Sequence, residues 1–382
     1  MRGRIIPPQG GEGRIMVRKL LRPVGPADPF DIHPDSLIYS DIHLHERKEF
    51  GRIDDKTGLN IRLVEGLDIL QQIIDIINAH PEIKFLYFLG DIFELKDKVP
   101  NHILLEFQKK LEEIERTNVI HFALLGNHDY NVIKYPISKL FDMGVITTPH
   151  ILSREVDGVK IAFLPYERDF ETFIKKWKEL NEQEPDLFFF HGEIPGVTYE
   201  TGRKVVGSFP QNFLLSETLY ISGHIHKSQK VNQVLFVGSP YQTKFSDEGQ
   251  TRYIWLLNSK TKEYAPIKLR YSEFRTIDLQ TYKEQISSEN ISGNYIRVVG
   301  EVEANQWDMQ TRKEVKNELE KLGAKGISFQ IQIIKHRQVQ IPADKIEDDR
   351  AIIRLFMENN SEKSQLNKEE LLRVGIDLFG LK

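Results

Sequence analysis

The sequence predicts an α/β layered fold, a core of packed sheet and helix that carries its chemistry on loops. Three observations predict it. From Leu37 onward, short apolar runs of strand length alternate with longer stretches of helical periodicity. Nearly every apolar run ends directly in Asp, His, Asn or Gly, the residues of tight turns and of metal sites. After about Ala265 the alternation gives way to a strand, a helix and a further alternating strand, which predicts a small separate α+β unit.

Each element follows from its own stretch. Residues 37–40 form a strand that runs into Asp41. Between Ile61 and Ala79, Val64, Leu67, Leu70, Ile73, Ile74 and Ile77 recur at three- and four-residue spacing, which is one buried helical face. Residues 85–89 make the next strand and lead into Gly90 and Asp91. Asn101 is placed to cap a second helix ending near Arg116, and 119–125 leads into Gly126. A strand at 161–164 and a helix from Asp169 to about Asn181 come next. Strands at 187–190 and 219–222 then run into His191 and Gly223, and strands at 234–237 and 253–257 complete the sheet. Ligands gather at the carboxyl ends of strands in such sheets, so these loops are predicted to converge. In the small unit, a strand at 295–299, a helix from about Gln310 to Leu322 and alternation over 327–334 are expected. Residues 351–357 and 369–379 read as two short amphipathic helices. Four regions result: an arm-like or disordered 1–36, a core at 37–264, the small unit at 265–345 and C-terminal helices at 346–382.

Composition narrows the chemistry. With 382 residues, 40% hydrophobic and 28% charged, the chain has the profile of a globular protein with a sizeable core. No apolar run is long enough for a membrane helix, so no membrane association is expected. There are no cysteines, which excludes disulfides and thiolate ligands and suits a reducing compartment. Any metal must therefore be held by oxygen and nitrogen. The net charge of −4 does not advertise a surface that grips nucleic acid unaided. The arm is rich in Gly, Pro and Arg and has no secretory apolar region; it reads as disordered, or as sequence upstream of a later start at Met16. A basic arm that touches phosphate through Arg2, Arg4, Arg14, Arg18 and Lys19 is the other reading.

Five runs carry the function: Asp41-Ile-His43, Gly90-Asp91-Ile-Phe-Glu94, Gly126-Asn127-His128-Asp129, His191-Gly192 and Gly223-His224-Ile-His226. Taken singly, each has a plain structural reading as a turn, a surface histidine or a buried histidine. Taken together and in order, they supply the donors of a two-metal phosphoesterase centre. A phosphodiester resists attack because its oxygens are charged and its leaving group is poor; two cations about 3.5–4 Å apart offset both. Such a pair needs one bridging carboxylate, assigned to Asp91, and terminal ligands. Asp41, His43 and His226 complete one metal, and Asn127, His191 and His224 the other. Mixed Asp, Asn and His ligation suits manganese, iron or zinc (Mn2+, Fe2+, Zn2+) better than calcium. His128 is not needed as a ligand and is assigned to stabilise the transferring phosphate and protonate the leaving oxygen. Glu94, three residues past Asp91, is assigned to orient His128 and stabilise its charge. His45, His80, His102, His121 and His150 fit no ligand position and read as structural. Arg47, Lys48, Arg52 and Lys56 lie on the 44–60 loop, where they would meet phosphate or solvent.

These residues resemble the calcineurin-like metallophosphoesterases over about 37–257. Within that superfamily, Phe236-Val-Gly-Ser-Pro-Tyr-Gln-Thr-Lys-Phe-Ser-Asp-Glu-Gly249 is similar to the SbcD-type, Mre-like DNA repair nucleases of bacteria and phage. Gly90-Asp91-Ile-Phe93 and Gly223-His-Ile-His-Lys227 agree with that branch. The resemblance implies manganese-dependent exonuclease and endonuclease activity on DNA, with the seven ligands and His128 carried over as assigned. It further implies a homodimer, an SbcC-type coiled-coil ATPase partner docked by the C-terminal region, and a DNA-capping role for the small unit. The setting implied is the cytoplasm of a bacterium or a phage-infected host. Glu94 departs from the branch in standing where several of these nucleases place a His or another acid. Two rival readings stand beside it: a small-molecule phosphodiesterase or pyrophosphatase on the same fold, and a scaffold without catalysis.

Overall fold

The computed structural model describes residues 22–23, 28–96, 98–129, 146–148, 152–207, 213–303 and 307–334. Most of the N-terminal arm, His150 and the helices expected at 351–357 and 369–379 lie outside the described residues. The chain divides into two units, Met1–Val299 with Lys316–Gln330, and Gly300–Val315 with Ile331–Lys382. Of the second unit, the described parts are the end of one strand at 300–303, the start of a helix at 309–315 and the end of another strand at 331–334.

In the first unit, chain order begins β1 (Arg22–Pro23), β2 (Ser36–Tyr39), α1 (Ile61–Ala79), β3 (Phe85–Phe88), α2 (Asn101–Glu115), β4 (Ile120–Leu124) and β5 (Ile146–Thr148). It continues through β6 (Leu152–Val156), β7 (Val159–Leu164), α3 (Phe170–Asn181), β8 (Leu187–His191), β9 (Leu219–Gly223), β10 (Gln229–Val231) and β11 (Val234–Phe236). β12 (Ile254–Leu257) and β13 (Tyr264–Lys268) return to the core. The single sheet expected from the sequence is in fact two. One has the order β1-β13-β12-β2-β3-β4-β5 and the other β10-β11-β9-β8-β7-β6. β11 and β12, both expected to finish one sheet, therefore lie in different sheets. Neighbours from β2 to β5 are parallel, with β5 at the edge, as are β7, β8, β9 and β11; the strands beyond β2, β7 and β11 are antiparallel.

The apolar runs are continuous because both faces of these strands are covered. In β8, Leu187 and Phe189 join Tyr87, Phe122 and Phe163 in the core between the sheets. Their neighbours Phe188 and Phe190 point the other way, against Trp177 of α3. Trp177 is fully buried and stacks on Phe188 with ring centroids 4.5 Å apart. In the other sheet, Leu86 and Phe88 face α1 and α2 through Leu70, Ile73, Ile77 and Phe107. The layers therefore run helix, sheet, sheet, helix.

Helix starts obey local capping. Asn60 Oδ1 accepts the Arg62 N–H at 2.9 Å, and Asp169 Oδ2 accepts the Thr172 N–H at 2.7 Å. The second helix differs from expectation: Pro100 holds the N-cap position with no side-chain cap bond, and Asn101 is already helical. Proline suits a helix start because it has no N–H to leave unpaired.

Candidate metal centre

The carboxyl ends of β2, β3 and β4 in one sheet meet those of β8 and β9 in the other. Main-chain bonds tie this rim together: Asp41 N–H donates to Gly90 O at 2.9 Å, and His43 N–H to Asp91 O at 3.1 Å. The chain turns sharply as each strand ends, and four turning residues occupy the left-handed region: Asp41 (φ 51°), His43 (45°), Asp91 (62°) and His224 (76°). Each such residue costs on the order of 1–3 kcal/mol, and such strain collects at functional sites. Gly126 permits the closest approach, since a Cβ there would lie 2.1 Å from Asp91 Oδ1.

The seven predicted ligands come together in two clusters. In the first, His43 Nε2 lies 3.0 Å from His226 Nε2, and Asp41 Oδ1 lies 3.8 and 3.9 Å from the same two nitrogens. In the second, Asn127 Oδ1 lies 3.2 Å from His191 Nε2 and 2.8 Å from His224 Nδ1. Asp91 Oδ2 sits between them, 3.6 Å from His43 Nε2 and 3.6 Å from His191 Nε2. Among the described residues, every group of three or more donors close enough to hold a metal belongs to this site.

The donor set fits a cation pair. Asp41 Oδ1 is buried without a hydrogen-bond partner among the described residues. An unpaired buried carboxylate oxygen is costly, and a bound cation is what would satisfy it. Asn127 Oδ1, His191 Nε2 and His224 Nδ1 of the second cluster converge in the same way. The reversed Asn127 amide would instead donate to both imidazoles and offer its oxygen to Lys96 Nζ at 3.2 Å.

Surrounding groups orient the donors. His191 Nδ1–H donates to Leu89 O at 2.6 Å, which leaves Nε2 as its free donor atom. His226 Nδ1 faces Glu200 Oε1 at 3.4 Å, while the main-chain N–H of His224 donates to Asp41 Oδ2 at 3.0 Å. Asp129, the last residue of the Gly126–Asp129 motif and not among the predicted site residues, is fully buried. Its carboxylate accepts the N–H groups of Asp91 (2.7 Å), Gly126 (2.9 Å) and Ile92 (3.0 Å). Its signal was the acid that follows Gly-Asn-His. Glu200 had no signal, because it lies far from every motif.

His128 takes its place through two bonds. Its N–H donates to Asp91 Oδ1 at 2.8 Å, and Nδ1 lies 2.7 Å from the main-chain oxygen of Glu94. The Glu94 carboxylate goes elsewhere, to Arg47 Nη2 at 2.6 Å and toward His43 Nδ1 at 3.5 Å. Glu94 thus meets His128 by its carbonyl and not by the carboxylate the sequence suggested. Arg47 is also bound to Thr243 O at 3.1 Å, so this loop cation braces the site.

Burial sets the protonation states. It pushes Asp41 up to about 7 and lowers His43 to about 4 and His224 to about 3. His226 is lowered well below its ordinary value by the same cause. His191 is the exception: burial lowers it, but the Asp91 carboxylate more than reverses this and raises it to about 9. Burial likewise raises Asp91, yet His191 and His43 hold it well below the carboxylate range. Neutral imidazoles are the ligating form.

The pattern of the calcineurin-like phosphoesterase family matches residues 36–228, more than half of the 382-residue chain. Exonuclease subunit 1 of Enterobacteria phage T4 is 23% identical over 240 residues, which covers 59% of this chain and 68% of the phage protein. Among solved structures, a novel archaeal phosphodiesterase is 16% identical, with a TM-score of 0.33 over 61% of this chain and 99% of its own. Pseudomonas putida nuclease MPE is 12% identical, with a TM-score of 0.28 over 61% of this chain and 88% of its own. The chain belongs to the calcineurin-like phosphoesterase family and is a metal-dependent phosphodiesterase.

Proposed function

We propose that this chain is a DNA nuclease that hydrolyses phosphodiester bonds at a two-metal centre, with manganese as the metal. In this reading it is the nuclease subunit of an SbcC-type ATPase assembly in DNA repair or recombination, paired with a second copy of itself. The observation that carries the reading is Asp91 Oδ2, 3.6 Å from a nitrogen of each donor cluster. One carboxylate oxygen shared by two clusters is what a cation pair requires. The phage T4 relative, an exonuclease subunit, supports a nucleic-acid substrate and partner chains.

Asp41, His43 and His226 would hold one cation, Asn127, His191 and His224 the other, with Asp91 shared. Bound there, the cations would offset phosphate charge and lower the pKa of the attacking water. The protein's own groups do the rest. Asp129 holds the Asp91 and Gly126 loops at a fixed separation through its three N–H contacts. With His128 Nδ1–H donated to Glu94 O, Nε2 is the ring atom left for substrate. From there it would hydrogen-bond the phosphate and pass a proton to the leaving oxygen.

The test is nuclease activity of the purified chain with manganese on end-labelled duplex and single-stranded DNA, with His128→Asn beside it. Degradation that disappears in the variant is the expected result. No degradation, with hydrolysis of bis-p-nitrophenyl phosphate retained, would turn the reading toward a small-molecule substrate.

A further inference from the structure

Beside the second donor cluster lies a cavity of about 160 Å³. Tyr166, Arg168, Phe170, Gly192, His191 and His224 line it. The Tyr166 ring lies against both imidazoles, with centroids 6.2 Å from His191 and 5.9 Å from His224. Its main-chain N–H donates to Leu125 O at 3.0 Å, so the ring is held at the rim where β4 ends. Phe170 is the first residue of α3, fixed by the Asp169 cap. Its ring lies near-parallel to that of Phe173, with centroids 6.3 Å apart and planes 20° from parallel, yet Phe170 remains 52% exposed. Phe173 beneath it is 4% exposed and belongs to the core, so core packing does not account for Phe170. Of the acids at this cavity, Glu167 is paired with Lys176, and Glu193 accepts a bond from the Tyr199 hydroxyl. Arg168 is exposed at the mouth.

We propose that this cavity is a nucleobase subsite, in which the base of a nucleotide flanking the scissile phosphate rests against Phe170 and Tyr166. The inference rests on the nuclease reading above. Because the cavity shares His191 and His224 with the cation site, a phosphate bound there brings the adjoining sugar and base to its mouth. Aromatic faces accept any of the four bases, so the subsite selects no sequence. It does select pairing state, since a base that stacks on Phe170 has left its partner strand. Arg168 meets the neighbouring backbone phosphate.

The test uses the full chain with manganese on single-stranded oligonucleotides that differ only in an abasic residue on one side or the other of the mapped cut. Wild type is expected to cut one of the abasic substrates roughly tenfold more slowly than intact DNA, the effect of losing one stacked base. Phe170→Ala should cut intact DNA at that slower rate and no longer distinguish the abasic substrate; Phe170→Tyr should restore both. Equal wild-type rates on intact and abasic DNA, or full discrimination by Phe170→Ala, would overturn the subsite while leaving the nuclease reading intact. A wild type that cuts no intact DNA would remove both, so the two failures are told apart by that single rate.

Discussion

Asp129 Oδ2 accepts the main-chain N–H of Asp91 at 2.7 Å, and through this bond the loop that carries His128 holds the loop that carries the shared carboxylate. With the Gly126 and Ile92 bonds, one buried side chain satisfies three N–H groups at the centre. Asp129→Ala orphans them all. Bonds to a charged group contribute about 1.5–3 kcal/mol each without being additive, so a loss of about 3 kcal/mol or more in unfolding free energy is expected. Asp129→Asn keeps one acceptor oxygen and should fall between. Denaturant unfolding of the three proteins checks the order.

The division of labour at residue 94 gives a second prediction. His128→Asn should lower turnover about 100- to 10,000-fold with metal content unchanged, the range for loss of a general acid. Glu94→Ala keeps the carbonyl that meets His128 Nδ1, so its effect should be far smaller, about tenfold or less. A Glu94→Ala defect as large as that of His128→Asn would show that the carboxylate, and not the carbonyl, governs His128.

Metal stoichiometry separates the shared ligand from the terminal ones. After manganese loading and gel filtration, wild type should retain two ions per chain. His224→Asn should lose one, and Asp91→Asn both, because Asp91 Oδ2 faces both clusters. Loading should also raise the melting temperature, since an ion at 100 times its dissociation constant stabilises by about 2.7 kcal/mol per site. Elemental analysis and calorimetry read both quantities.

His121 provides a pH prediction away from the centre. It is buried on β4, and burial lowers its pKa from 6.5 to about 4. The folded-state pKa lies below the unfolded one, so between these values the unfolded chain binds the extra proton. Stability is unaffected by this group above pH 6.5 and falls as pH drops toward 4. By pH 5 the loss is on the order of 2 kcal/mol. His121→Phe should remove that component, so the stability gap between variant and wild type should shift in favour of the variant between pH 7.5 and pH 5. A gap independent of pH would count against it.

Much of this protein is legible in its sequence. The span of α1, Ile61–Ala79, follows from the three- and four-residue recurrence of its apolar side chains. The strands that lead into Asp41, Asp91, His191 and His224 are legible because a run covered on both faces must be apolar throughout, and its end is marked by the first polar residue. What the run of residues could not convey was the partner of each strand. β11 and β12 are similar short apolar stretches, yet one pairs with β9 and the other with β2. That choice depends on long-range packing between two sheets and not on local pattern.

The sequence by itself determined the chemistry available: nitrogen and oxygen donors only, in a fixed order, each at a strand end. Tertiary structure decided which atoms are used. It turned the Glu94 carbonyl toward His128 and its carboxylate toward Arg47, and it recruited Asp129 and Glu200 around the donors. It also set Phe170 and Tyr166 beside His191 and His224. The physical reason is that spacing along a chain encodes where a strand stops. Which lone pair faces which neighbour is set by the left-handed turns at Asp41, His43, Asp91 and His224, and by the depth to which two sheets bury them.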